Sequence, residues 1–200
     1  MERLSCCTQY YFLSNLCIKK NERIYLEIKK IAPKPLCEKI ISYFDNNYGD
    51  AVTVGGLNKN IRNCLTKTLL NPTTLGEKLC LHATQEKIFD CVKHYKNKFD
   101  IEIEEISQLD LLKYETNDYN AGYKFHYDFG NKVNQRHLSV SICLNNEYEG
   151  GEFVFDLPEG KITIPQNIGD AVVFPSNFMF PHQVNKVIKG TRYAIIGWVI

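Results

Sequence analysis

Tyr123-Lys124-Phe125-His126-Tyr127-Asp128 stands between two turn signals, Asn120-Ala121-Gly122 and Gly130-Asn131, and reads as a short β-strand. It is one of eight such segments after Asp100. The others are Ile106–Glu115 and residues 136–144, 152–155, 161–164, 171–174, 182–188 and 192–199. Gly150-Gly151, Pro158-Glu159-Gly160, Gly169-Asp170 and Lys189-Gly190 supply the intervening turns. Eight short strands with such turns fit a double-sheet jelly roll, that is, a cupin-like double-stranded β-helix.

The first hundred residues have a different texture. Arg23-Ile24-Tyr25-Leu26-Glu27-Ile28-Lys29 alternates like a strand, but the rest is mainly helical. Leu36, Ile40, Ile41 and Phe44 recur at helical spacing after Pro33 and Pro35. A second helix is expected over residues 61–70, ended by Asn71-Pro72. A third is expected over residues 85–99, with Thr84 and Lys87 forming half of a capping box. The whole is expected to be one α+β domain, 1–200. Residues 1–105 form the helical support and 106–200 the jelly-roll core.

Composition narrows the function. Two hundred residues, 44% hydrophobic and 24% charged, suit one globular domain. A formal net charge of +1 gives no case for nucleic acid or an anionic membrane as partner. Eight cysteines (6, 7, 17, 37, 64, 80, 91 and 143) contain no C-x-x-C, so a structural zinc site of the usual spacing is not expected. The first residues lack an unbroken apolar stretch, and no run approaches a membrane span. The thiols are therefore read as reduced and the compartment as cytoplasmic.

His126 and Asp128, at i and i+2 of a strand, project to one face. His182, at the start of a later strand, is the candidate third ligand. Two histidines and one carboxylate form the facial triad that holds non-haem Fe(II) and leaves three positions open. His82 and His94 lie in the helical half, and His137 has no partner at ligand spacing. His82 and His94 are read as solvated or core histidines, and His137 as structural. Arg192 lies in Gly190-Thr191-Arg192-Tyr193-Ala194-Ile195-Ile196-Gly197-Trp198. A guanidinium in so apolar a strand needs an anion, and its planar fork suits a carboxylate. Alternation sets Arg192, Ala194, Ile196 and Trp198 on one face, and a ligand carboxylate is the favoured partner.

At this point the chain resembles the Fe(II)- and 2-oxoglutarate-dependent dioxygenases of the prolyl 4-hydroxylase-like group. The likeness runs in order from Leu109 to Ile200. It takes in Lys113-Tyr114, Gly122 to Asp128, Leu138 to Asn145, Tyr148 to Phe153, Gly169 to Pro175, Pro181 to Val184 and Gly190 to Tyr193. It implies that His126, Asp128 and His182 bind iron and that Arg192 holds the distal carboxylate of 2-oxoglutarate. Tyr114 matches a tyrosine that reaches toward the cosubstrate, and Trp198 a tryptophan near the metal. Tyr123 matches a pocket-edge position, although simple alternation sets it opposite His126. Cys143 departs from the pattern, standing where some relatives have a tyrosine that helps grip the carboxylate. It is expected to line the cosubstrate pocket, with Ser139, Ser141 or Thr191 assisting Arg192.

The implied reaction is hydroxylation of a C–H bond, first that of a peptidyl proline, with release of succinate and carbon dioxide. Fe(II), 2-oxoglutarate and dioxygen are the implied cofactor and cosubstrates, and ascorbate is admitted as an accessory. A peptide or protein is the expected substrate, and a lysyl or free amino-acid substrate is the alternative. Outside the class, a non-catalytic jelly-roll binding module is disfavoured, because all three ligands and the carboxylate anchor are present. A nucleic-acid demethylase is disfavoured because Tyr193 to Ile200 holds no second arginine. Loops 116–121, 130–135 and 71–78 are the candidate specificity elements.

Overall fold

The computed structural model describes residues 24–102, 105–116, 121–129 and 136–200. In chain order these form β1 (Leu26–Ile28), α1 (Lys34–Phe44), β2 (Gly49–Asp50), β3 (Arg62–Asn63), β4 (Leu65–Thr68) and α2 (Leu75–Phe99). There follow β5 (Ile106–Glu115), β6 (Gly122–His126), β7 (Leu138–Cys143), β8 (Tyr148–Gly150), β9 (Phe153–Leu157) and β10 (Gly160–Ile164). The last are β11 (Ala171–Pro175), β12 (His182–Val184) and β13 (Val187–Val199). Two antiparallel sheets face each other. The larger runs β1-β11-β7-β13-β5-β4-β2, with β8 added on β13, and the smaller runs β10-β9-β12-β6-β3. Neither closes on itself.

Alternation along β7 shows how one strand serves two environments. Leu138, Val140 and Ile142 join the helix-side cluster with Ile40 and Phe44 of α1 and Ile88 and Val92 of α2. Ser139, Ser141 and Cys143 face the other sheet. On β13, Ile195 and Val199 point to the helices, whereas Ile196 and Trp198 point between the sheets. The helices thus share a core with the larger sheet and leave its other face for the site.

Three segments differ from expectation. Residues 61–70 form no helix. Arg62–Asn63 pairs with β6 of the smaller sheet, and Leu65–Thr68 pairs with β5 of the larger, so this run steps from one sheet to the other. Helix α2 begins ten residues earlier than expected because a complete capping box precedes it. Thr74 Oγ1 accepts from Glu77 N at 3.1 Å, and Glu77 Oε2 accepts from Thr74 N at 2.8 Å. Thr84 is a mid-helix residue whose hydroxyl donates to Cys80 O at 2.7 Å. Finally, Lys189-Gly190 makes no chain reversal. Gly190 sits at φ +77° inside β13, opposite Tyr148 of β8, a backbone state that glycine adopts readily.

The five cysteines among the described residues, Cys37, Cys64, Cys80, Cys91 and Cys143, are free and buried. Cys6, Cys7 and Cys17 lie outside the described residues, as does most of the two loops 116–121 and 130–135. Among the described residues, no helix is long and apolar enough to cross a membrane.

Candidate active site

His126 ends β6 and His182 begins β12, directly opposite in register. Their ring centroids are 4.2 Å apart. Each Nδ1 faces the carbonyl two residues back, Lys124 O at 2.8 Å and Phe180 O at 2.9 Å. A carbonyl only accepts, so Nδ1 carries the proton and Nε2 keeps its lone pair for a ligand. Asp128 brings Oδ1 to 3.7 Å from His126 Nε2 and Oδ2 to 3.7 Å from His182 Nε2. One ligand atom from each of the three residues lies within 4.8 Å of the others.

The electrostatics suit a cation. Burial, then the facing His182 ring, depress the His126 pKa and keep the imidazole neutral. Burial alone would raise the Asp128 carboxyl, but His182, His126 and the Ser139 hydroxyl hold it below the ordinary carboxylate value. Two imidazole nitrogens and one carboxylate, converging in one pocket, fit a divalent first-row metal. His82 and His94 are exposed on α2, and none of His82, His94 and His137 reaches this pocket.

Arg192 on β13 lines the same pocket, 1% exposed. Its Nη2 donates to Gln166 Oε1 at 3.3 Å, and its guanidinium carbon is 5.4 Å from the Tyr114 ring centroid. Arg192 Nε and Gln166 Nε2 are both buried without a partner. No carboxylate of the described residues pairs with this guanidinium. Two orphan donors around an unneutralised buried charge form a cup for an anion. Gly151 makes room for it. It sits at φ +68°, and a Cβ there would lie 2.9 Å from Arg192 Cδ.

The other candidates divide. Tyr114, Tyr123, Ser141 and Trp198 line the pocket with the triad. Tyr123 stacks on His126 with centroids 3.4 Å apart, on the same side rather than opposite. The cause is a bulge: Tyr123 pairs with Val184 and His126 with His182, so three steps on β6 match two on β12. Cys143 does not line the pocket. Its Sγ is occupied behind the arginine, 3.1 Å from Asn145 O and 3.7 Å from the Tyr148 hydroxyl. Ser139 is not beside Arg192 either, because its hydroxyl donates to Asp128 Oδ2 at 2.7 Å. Thr191 alternates away from Arg192 and uses its carbonyl to accept from Asn145 Nδ2 at 2.7 Å.

Four contributors were missed by sequence reasoning. Tyr148 places its hydroxyl between Cys143 and Arg192, supplying locally the group absent at position 143. Gln166 comes from a loop with no motif. Arg62 lines the pocket from the segment expected to be helical, held by Nη1 on Val52 O at 3.0 Å and 4.9 Å from the Tyr123 ring centroid. Arg136 lies 3.7 Å from the Trp198 ring centroid. Loop 71–78 carries the α2 cap and contributes no residue to the pocket.

Residues 110–200 match the model of the 2OG-Fe(II) oxygenase superfamily. A PKHD-type hydroxylase of Crocosphaera subtropica is 39% identical over 64 residues, 31% of this chain and 28% of the relative. One from Idiomarina loihiensis is 30% identical over 99 residues, 48% of this chain and 43% of the relative. The matched stretches thus span less than half the length of these curated relatives. Among solved structures, a Trichoplax adhaerens prolyl hydroxylase in complex with a hypoxia inducible factor peptide fragment superposes with TM-score 0.72 at 17% identity, covering 90% of this chain and 84% of that one. A Pseudomonas putida prolyl-4-hydroxylase gives 0.69 at 16% identity, covering 88% and 91%. These two establish the double-stranded β-helix fold, with the helices on the larger sheet. Over residues 110–200, then, the chain is similar to the 2OG-Fe(II) oxygenase superfamily, and it shares its fold with solved prolyl hydroxylases.

Proposed function

We propose that the protein is an Fe(II)- and 2-oxoglutarate-dependent dioxygenase that hydroxylates a C–H bond of a peptidyl proline. The observation that carries this reading is the meeting of His126, Asp128 and His182 with an unneutralised Arg192 in one pocket. When bound, iron, 2-oxoglutarate and dioxygen would supply the oxidising chemistry: one oxygen atom of dioxygen goes to the keto acid, which loses carbon dioxide to become succinate, and the other enters the substrate C–H bond. The chain's own residues place and shield the reactants.

The two Nδ1–carbonyl bonds fix the ligand imidazoles in one tautomer and orientation. Arg192, with Gln166 and the Tyr148 hydroxyl beside it, holds the distal carboxylate of the cosubstrate and so fixes its direction. Tyr114 and Trp198 wall the pocket between anchor and metal. Their rings exclude water from the space the keto acid fills. Tyr127 and Phe129, exposed on either side of Asp128, offer an apolar margin for a peptide.

Hydroxylation is supported by the name of the PKHD-type hydroxylase relatives, and a peptidyl substrate by the peptide fragment in the Trichoplax prolyl hydroxylase complex. The cytoplasm is the proposed compartment, on the strength of five free buried thiols, and ascorbate is proposed as an accessory reductant. Anaerobic titration with Fe(II) and 2-oxoglutarate should give a visible charge-transfer band, and its absence would sink the dioxygenase reading. A peptide screen by mass spectrometry should then show the gain of one oxygen atom on proline. Gain on lysine peptides or free amino acids alone would overturn the proline assignment.

A further inference from the structure

The Ser139 hydroxyl lies within 2.7 Å of two groups, Asp128 Oδ2 and Ser176 Oγ. Ser139 and Ser176 are 0% and 1% exposed. An ionised carboxylate can only accept, so Ser139 donates to Asp128, and its own oxygen is left to accept from Ser176. The chain of hydroxyls therefore has one direction, Ser176 to Ser139 to Asp128. Both serines have fixed backbones. Ser139 sits in register between Phe174 of β11 and Trp198 of β13, and Ser176 N donates to His137 O at 3.0 Å. Two buried hydroxyls at the edge of an aromatic-walled cavity are costly unless they are satisfied, and here their bonds end on one oxygen of a candidate ligand.

We propose that Ser176 and Ser139 are a positioning pair that restricts Asp128 to a one-oxygen grip on the metal. The inference rests on the dioxygenase reading above. Carboxylates bind metals through one oxygen or through two, and a two-oxygen grip would use one of the three positions that the facial triad must leave open. The hydroxyl occupying Oδ2 competes with that second contact. The pair thus protects the place where the cosubstrate chelates, although neither serine touches the cosubstrate. Hydrogen-bonded partners of metal ligands commonly carry effects of about 10–100-fold.

The full-length chain tests this with Ser139→Ala, Ser139→Thr and Ser176→Ala, each checked for folding by circular dichroism. Co(II) alone is titrated first, with affinity read from its visible absorption. 2-Oxoglutarate is then titrated anaerobically into the Fe(II)-loaded protein, with affinity read from the charge-transfer band. Ser139→Ala should keep the metal and bind 2-oxoglutarate roughly 10–100-fold more weakly. Ser139→Thr, which keeps a hydroxyl, should match the parent chain, and Ser176→Ala should show a smaller loss in the same direction. If Ser139→Ala does not fold, Ser176→Ala decides by the same titrations. Cosubstrate affinity unchanged on metal-loaded variants would overturn the pair. So would loss of metal and cosubstrate in step, which marks plain support of the ligand loop. A parent chain that takes up no metal would instead refute the dioxygenase reading on which the pair depends.

Discussion

The two faces of the larger sheet carry different chemistry on the same strands. On β7, the helix side shows Leu138, Val140 and Ile142, and the site side shows Ser139, Ser141 and Cys143. On β13, the helix side holds Ile195 and Val199, and the site side holds Arg192, Ile196 and Trp198. Burial is nearly complete on both sides, so burial does not separate core from site. The difference is in polar content: one face is packed apolar matter, and the other presents buried donors without a protein partner and three converging ligand atoms. A fold of this kind takes its stability mainly from one face and its reactivity from the other.

That separation can be attacked from either side. The largest effect should come from His182→Ala, which removes one of three ligands. Metal uptake and succinate formation should both fall to background, measured by Co(II) titration and succinate assay, and retained turnover would refute the ligand assignment. On the opposite face, Ile142→Ala should cost about 2–5 kcal/mol of stability through the lost contacts and the cavity left behind. Urea denaturation would read this, and the protein that remains folded should still bind metal. Loss of the metal site in that folded fraction would break the comparison.

Arg192→Ala is a change on the site face. Losing a charge-assisted grip of about 1.5–3 kcal/mol corresponds to a 2-oxoglutarate requirement raised roughly 10–150-fold. An unchanged requirement in steady-state kinetics would remove Arg192 from its assigned role. The smallest effect belongs to Thr74→Ala at the start of α2, where loss of the cap should cost about 1 kcal/mol. Thermal denaturation would detect it, and the affinities for metal and cosubstrate should not change.

Much of this arrangement was legible in the residues. β5 begins and ends where alternation sets it, and His126, Asp128, His182 and Arg192 occur together as their spacing suggests. The failures have separate physical causes. Residues 61–70 have apolar spacing that suits either period, and only pairing with β6 and β5 decides for strands. Tyr123 defeats parity because a bulge adds a residue, and a bulge depends on the partner strand, which single-strand alternation does not include. Ser139 and Cys143 share a face with the pocket, but which end of it each reaches depends on register across three strands. Gln166 lies in a loop, where no period exists to read.

The long strand β13 has a consequence for how the site fluctuates. From Ala194 to Val199 it is hydrogen-bonded between β5 and β7, so these amides should exchange with solvent only when the whole domain opens. His182 rides on β12, a strand of three residues, opposite the bulged β6. Strand β12 is itself paired on its other side with β9, so the two walls of the pocket differ in length of pairing: six consecutive residues held on both sides behind Ile196 and Trp198, and three behind His182. Hydrogen exchange should therefore protect the Ile196–Trp198 wall at least as strongly as the histidine wall.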